Sequence, residues 1–316
     1  MREFFWVNIC MYKHKPKIIM NYVVTGGAGN ISTPLVKNLL AAGQQVTVIG
    51  RNAEHLKTLV QLGAKAAIGS VEDPAFLAQT FKGADAVYTM VPPKWDAVNW
   101  KKHIGQVGEN YAAAIKSASI KYVVNLSSVG AHMAEGCGPV SGLYLAEKAL
   151  NQLEGVNVLH LRPSYFYPNL LANIGMVKNA GIIGSNFAVS GNKFPIVDPS
   201  DIAEVATEAL LKTSFTGKSV RYIASDEVST DAIAQTIGAA IGKPDLKWVA
   251  FADADALNGM LHAGLSKEVA ENYVEMGAAI NSGKMSEDYW KNKPSALGKV
   301  KLGDFAKVFA AIYAAS

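Results

Sequence analysis

With 316 residues, half of them apolar and 18% charged, the chain is long enough for one large or two fused compact units and lies far from the composition of a disordered protein. The formal charge is +4, but residues 1–19 carry four Lys/Arg against one Glu, so the remainder is nearly neutral and a basic nucleic-acid-binding face is not expected. Cys10 and Cys137 support neither a disulfide framework nor a zinc module, and no apolar run reaches the ~20 residues of a membrane span, so the expected setting is a reducing cytosol.

Residues 1–19 read as an N-terminal extension ahead of a domain that begins near Met20. Phe4-Phe5-Trp6-Val7 is too short, and meets Lys13-His14-Lys15 too soon, for a signal peptide. From Ile18 onward short apolar runs alternate with stretches of helical period, the pattern of parallel strands joined by helical crossovers. Strands are expected at Ile18–Thr25, Val46–Ile49, Ala66–Ile68, Ala86–Val91, Tyr122–Leu126 and Val156–Leu161. Helices are expected between them at Ile31–Ala42, Ala53–Leu62, Pro74–Lys82, Ala97–Ser117 and Ser141–Leu153. The fold class is therefore α/β, a doubly wound parallel sheet (Rossmann) over residues 20–163, completed by a helix from Asp198 and a seventh strand at Val220–Ala224 within 196–225. Residues 164–195, rich in aromatics, Asn and Gly, together with the mainly helical 226–316, are expected to form a smaller substrate-side subdomain.

Thr25-Gly26-Gly27-Ala28-Gly29-Asn30-Ile31-Ser32 falls between the first strand and the first helix. A pyrophosphate needs a tight turn with accessible amides at the positive end of a helix, and Gly26, Gly27 and Gly29 supply it. Ser32 occupies the third position of the fingerprint, which must be small. The second strand ends in Ile49-Gly50-Arg51-Asn52, where an NAD site places an acid on the ribose. A guanidinium there suits a 2′-phosphate, so NADPH is expected over NADH with Arg51 as reader; a solvated strand-end arginine is the competing reading. Ser127-Ser128 closes the fifth strand, and Tyr144 and Lys148 follow at Tyr-x-x-x-Lys spacing, which suits a phenol acting as proton donor beside a serine hydroxyl. Tyr289 and Lys293 repeat the spacing near the chain end, so placement has to decide between a catalytic Tyr144 and an ordinary helix residue.

Together these residues resemble the short-chain dehydrogenase/reductase superfamily and, within it, the atypical NmrA-like branch of NADPH-dependent quinone reductases and silent redox sensors. Further carriers are Gly69-Ser70 with Asp73-Pro74, Lys82-Gly83-Ala84-Asp85, Leu161-Arg162-Pro163 with Asn169-Leu170-Leu171, and Val197-Asp198 with Asp201-Ile202-Ala203. The resemblance implies that Gly26, Gly27, Gly29, Asn30 and Ile31 hold the pyrophosphate and that Gly69 and Ser70 lie near the adenine, Ser70 standing where many members have Asp. It implies that Val91, Pro92 and Pro163 flank the nicotinamide, while Ser128, Tyr144 and Lys148 polarise the acceptor oxygen and supply a proton. The implied activity is hydride transfer to a small apolar quinone or carbonyl acceptor by a monomer or homodimer, with no nucleic-acid or membrane partner; the alternative is a non-enzymatic NADPH sensor acting through a protein. Trp95, Trp100, Tyr165, Phe166, Tyr167 and Met176 are candidates to roof the nicotinamide, at least half of them expected to be simple core. His160, on a central strand, is expected to be a satisfied core residue, and no metal constellation is present.

Overall fold

Strands and helices alternate through the first half as the apolar runs and helical repeats require. The computed structural model describes residues 19–316, so the expected N-terminal extension, apart from Ile19, lies outside the described residues. The first half runs β1 (Asn21–Val24), α1 (Ser32–Ala41), β2 (Gln45–Gly50), α2 (Ala53–Gln61), β3 (Lys65–Ile68), α3 (Pro74–Phe81), β4 (Ala86–Thr89), α4 (Trp100–Ser117), β5 (Tyr122–Leu126), α5 (Pro139–Asn151) and β6 (Asn157–Pro163). Helix starts are set locally. Asn52 accepts from the Glu54 amide, Asp73 from those of Ala75 and Phe76, and Asn99 from that of Lys102, satisfying donors that a first turn leaves free.

The second half holds β7 (Tyr165–Phe166), a 3₁₀ turn at Tyr167–Asn173, α6 (Ile174–Ala180), β8 (Ile183–Ser185), β9 (Phe194–Val197), α7 (Pro199–Lys212), β10 (Lys218–Ile223) and β11 (Asp226–Val228). It continues through α8 (Thr230–Ala240), β12 (Trp248–Ala250), α9 (Asp253–His262), α10 (Lys267–Asn281), α11 (Glu287–Lys291) and α12 (Leu302–Ala315). The seventh strand is present as β10, parallel to β6. Five further strands, of two to four residues, fall where loops or helices were expected; runs so short show no alternation for a sequence pattern to register. They form a sheet ordered β11-β9-β7 and a pair β12-β8.

The main sheet is ordered β10-β6-β5-β4-β1-β2-β3 and is parallel throughout. From β1 the chain winds outward through β2 and β3, then returns to β4 and winds the other way. The carboxyl ends of β1 and β4 are therefore the switch point, where an open α/β sheet leaves a crevice. Leu35, Val36 and Leu39 of α1 share one core with Ile202, Ala206 and Leu210 of α7; Phe81, Tyr111, Ile115 and Leu150 from α3, α4 and α5 share the core on the other face. A third core joins Val129 and Cys137 to Tyr167, Phe187, Ile237, Tyr289 and Phe309 of the later segments.

Candidate dinucleotide and acceptor site

The turn after β1 is built by backbone conformation. Gly26 (φ +94°) and Gly27 (φ +53°) adopt positive φ, and a Cβ on Gly26 would lie 2.6 Å from Ser32 Oγ and 2.9 Å from Met90 Cγ. The Gly27 amide donates to Ile49 O (2.8 Å) and that of Gly29 to Gly26 O (3.1 Å). The amides of Ala28, Asn30 and Ile31 have no acceptor among the described residues, and α1 starts without a side-chain cap. That leaves a ring of donors at a helix N-terminus, the arrangement a pyrophosphate needs. Ser32 explains its own departure from Gly or Ala: it is buried, and its hydroxyl donates to Thr25 O at 2.8 Å, so a small polar side chain fits without an unmet hydrogen bond. Fully buried Thr25 ties the turn to β4, accepting from the Met90 amide at 2.9 Å, and Tyr111 Oη donates to Met90 O at 2.6 Å.

At the adenine end Arg51 is exposed, and its charge works against that of Lys94. Lys94 also pairs with Glu72 at 2.9 Å. The end of β2 itself carries Arg51 and no acid, and the nearby Lys94 charge is matched by Glu72. Gly69 donates its amide to Gly50 O, linking the ends of β3 and β2, and Ser70 Oγ accepts from the Glu72 amide at 3.1 Å, which shapes the next turn. Val91 and Pro92 leave β4 half-buried, and the buried Pro163 ends β6 with its carbonyl accepting from Val129 N at 2.9 Å. Gly26, Gly27, Gly29, Asn30, Ile31, Val91 and Pro92 meet at the switch point, with Arg51, Gly69 and Ser70 at its β2–β3 side and Pro163 across β5.

The catalytic candidates are not linked to one another by hydrogen bonds. Ser128 Oγ donates to Val129 O (2.9 Å), Tyr144 is half-buried, Lys148 is exposed, and no hydrogen bond links the three. The rotation of α5 is the reason. Gly108 of α4 backs onto Ala146, whereas Glu147 turns to the sheet, accepting from Ser127 Oγ (2.5 Å) and from Arg162 through both oxygens (2.7 and 3.0 Å). At about 100° per residue, Tyr144 lies about 160° from Ala146, on the side away from α4, and about 60° from Glu147. The buried Glu147–Arg162 pair extends to Tyr222 and Asp288. Burial works against the Arg162 charge, but its bonds to Glu147 outweigh that and hold the guanidinium above its ordinary range. Sequence reasoning missed Glu147, which no local motif sets apart from a helix-surface acid.

Of the six aromatic and Met candidates, Trp100 and Tyr167 are buried, Tyr165, Phe166 and Met176 are half-buried, and Trp95 keeps 54% of its surface exposed. Tyr289 is fully buried and donates to Glu227 (2.5 Å), which also pairs with Lys293 (2.7 Å), so the second Tyr-x-x-x-Lys is a structural clamp. His160 bridges Asn125 and Asn151 at 3.0 Å each, and burial depresses it to about 4. No cluster of metal-ligating side chains is found among the described residues, and none of their helices is long and apolar enough to cross a membrane. A cleft of about 680 Å³ lies elsewhere, along the outer side of β10 between Arg221, Asp288 and Lys293, and no cofactor-side residue lines it.

A doubly wound sheet with a glycine turn at its switch point defines a dinucleotide-binding α/β protein. The NmrA-like family model matches residues 20–297, and the chain belongs to that family. It is 25% identical over 302 residues to an NAD(P)H azoreductase of Xenophilus azovorans, covering 93% of this chain and 99% of that one. Among solved structures, it is similar to an NADPH-dependent quinone oxidoreductase of Escherichia coli in complex with NADPH (TM-score 0.76, 18% identity, 91% of this chain and 99% of that one). A Citrobacter triphenylmethane reductase in complex with NADP(H) follows at TM-score 0.72 and 18% identity, with the same coverage.

Proposed function

We propose that the protein is a cytoplasmic NADPH-dependent oxidoreductase acting on a small, largely apolar acceptor of the quinone, carbonyl or azo type. The observation that carries this reading is the donor-lined turn from Gly26 to Ile31 at the switch point, with Arg51 in place of an acid at the end of β2. The residues present fit the dinucleotide: amides of Ala28, Asn30 and Ile31 for the pyrophosphate, Arg51 for the 2′-phosphate, Gly69 and Ser70 toward the adenine, Val91, Pro92 and Pro163 beside the nicotinamide. When bound, the reduced nicotinamide supplies the hydride. The acceptors named for the relatives above, azo compounds, quinones and triphenylmethanes, support the acceptor class. Ser128, Tyr144 and Lys148 gain no support as proton-transfer residues from the hydrogen bonding described. The one second reading is a protein that binds NADPH and reports its occupancy to a partner, which needs no proton donor.

The test is titration calorimetry with NADPH and NADH, followed by NADPH oxidation against a panel of quinones, aldehydes and azo dyes. NADPH-selective binding with turnover of one acceptor class is the expected result. Tight binding with no turnover across the panel selects the sensor, and no binding at all removes both.

A further inference from the structure

Away from the cofactor turn, β10 is an edge strand, parallel to β6 on one side and bordered on the other by the cleft of about 680 Å³. In a parallel ladder alternate residues turn both main-chain groups toward the same neighbour. Gly217 O accepts from Val158 N (2.8 Å) and Ile223 O from Ser164 N (2.9 Å), so the odd-numbered residues of β10 face β6. The even-numbered ones face the cleft, where Ala224 O accepts from Gly298 N at 2.8 Å. Val220 and Tyr222 come before that contact, and their outward N–H and C=O groups have no partner among the described residues.

The opposite wall of the cleft is the segment 292–299, which is pinned at both ends. At its start, Asp288 of α11 accepts from Arg162 (3.2 Å) and from the Tyr222 hydroxyl. At its end, Asp201 accepts from the amides of Lys299 (3.0 Å) and Val300 (3.2 Å), and a Cβ on Gly298 would lie 2.2 Å from Asp201 Oδ2. The segment therefore closes β10 at Ala224 and stands off from Val220 and Tyr222, leaving a slot whose walls are already fixed. Val220 keeps 43% of its surface exposed and Leu297, across the slot, 38%. Arg221 lies between the two free residues, where it pairs with Glu208 at 3.1 Å in an exposed contact. Open strand edges are normally paired, covered or blunted, and this one is covered only at its end.

We propose that this slot binds an extended peptide segment of another protein, added antiparallel to β10 as an eighth strand, with an acidic side chain opposite Arg221 flanked by apolar ones. In that pairing the residues opposite Val220 and Tyr222 each exchange two main-chain hydrogen bonds with β10. The residue opposite Arg221 then takes the position without main-chain bonds, where cross-strand side chains come closest, and a carboxylate there meets the guanidinium. It displaces Glu208 from an exposed ion pair, which costs little. The flanking apolar residues cover Val220 and Leu297. A second copy of this chain is the poorer occupant: a cleft of this volume admits one strand and not the layered edge of another sheet, and β10 against β10 with Val220 opposite Tyr222 would set the two Arg221 side chains against each other. The site stands apart from the reductase reading, because no cofactor-side residue lines the slot.

The experiment titrates the full-length protein with a fluorescein-labelled Thr-Val-Glu-Val-Thr peptide, capped at its carboxyl end, and reads anisotropy and the exchange of individual backbone amides. Binding is expected to slow exchange at Val220 and Tyr222 and to leave Arg221, whose amide already faces β6, unchanged. The same peptide N-methylated at both valines, and its Thr-Val-Lys-Val-Thr counterpart, are each expected to bind roughly tenfold more weakly. Arg221→Glu is expected to reverse the preference between the glutamate and lysine peptides without changing NADPH affinity. Val220→Pro removes an outward N–H and no bond to β6, and is expected to weaken the glutamate peptide roughly tenfold; the charge reversal decides the matter if that variant unfolds. Failure of the glutamate peptide to bind at millimolar concentration overturns the proposal, as does equal binding of the N-methylated peptide or an unchanged preference in Arg221→Glu. Val220 and Tyr222 amides already protected in the free protein overturn it too: protection lost on dilution assigns the edge to a second copy, and protection that persists assigns it to this chain itself.

Discussion

The two halves of the carboxyl edge are assembled in different ways. On the cofactor side the donors are main-chain amides of one contiguous stretch, Ala28 to Ile31, and their geometry follows from two positive-φ glycines and the start of α1. On the other side the polar groups are side chains such as Tyr165 on β7 and Tyr273 on α10, each placed by aromatic packing with partners distant in sequence. A binding surface made of backbone is written into a local motif. One made of side chains depends on the rotation of every helix that contributes, and a one-residue change of helical phase moves a group by about 100°.

The largest expected effect tests the first half of that contrast. Gly26→Ala forces a Cβ into a positive-φ residue at 2.6 Å from Ser32 Oγ, so the turn has to shift and its amides lose their common focus. NADPH affinity is expected to fall roughly a thousandfold while the circular dichroism spectrum is retained. Undiminished binding in calorimetry means that the pyrophosphate is not held there.

The sheet beneath both halves gives a pH-dependent effect of stability. His160 is depressed to about 4 from 6.5, first by burial, so the unfolded chain takes up a proton that the folded one refuses until the pH is much lower. Its contribution is fully present above pH 6.5 and is lost as pH falls through the window between 6.5 and 4, amounting to about 3 kcal/mol. Urea midpoints measured across that window should fall in the wild type and fall less steeply in His160→Gln. Equal slopes mean that His160 is not the residue responsible.

How much of this is legible in the sequence follows the same division. The succession of strands and helices along the chain, the glycine turn and the missing acid at Arg51 are all local patterns, and the seven strands of the main sheet, β10 included, are readable from apolar runs. Buried Glu147 looks like any helix-surface acid, because its partner Arg162 lies on the next strand and Asp288 is 126 residues from Arg162.

Arg51→Ala is the intermediate case, a side chain on the backbone-built half. A charge-assisted contact to a 2′-phosphate at an exposed site is worth roughly tenfold in affinity, so NADPH binding should weaken by about that factor with NADH binding unchanged. Equal weakening of both cofactors by calorimetry moves the role of Arg51 from selecting the phosphate to general electrostatic attraction.

The smallest expected effect decides the most about α5. A general acid at Tyr144 would make Tyr144→Phe lose about 10²- to 10⁴-fold in turnover. The helix instead points Glu147 at the sheet and leaves Tyr144 without a hydrogen bond among the described residues, on the flank away from α4. Tyr144→Phe is therefore expected to keep NADPH affinity, unfolding temperature and kcat, each within about threefold of wild type where a ratio applies. Tyr289→Phe provides the contrast, and it is not the neutral control that the repeated spacing suggests. It removes a buried bond to Glu227 and is expected to cost about 1–3 kcal/mol of stability with little change in turnover per folded molecule. A hundredfold loss of kcat in Tyr144→Phe with unchanged NADPH affinity would instead make the phenol the proton donor, with Glu147 held by Arg162 as the fixed support of α5.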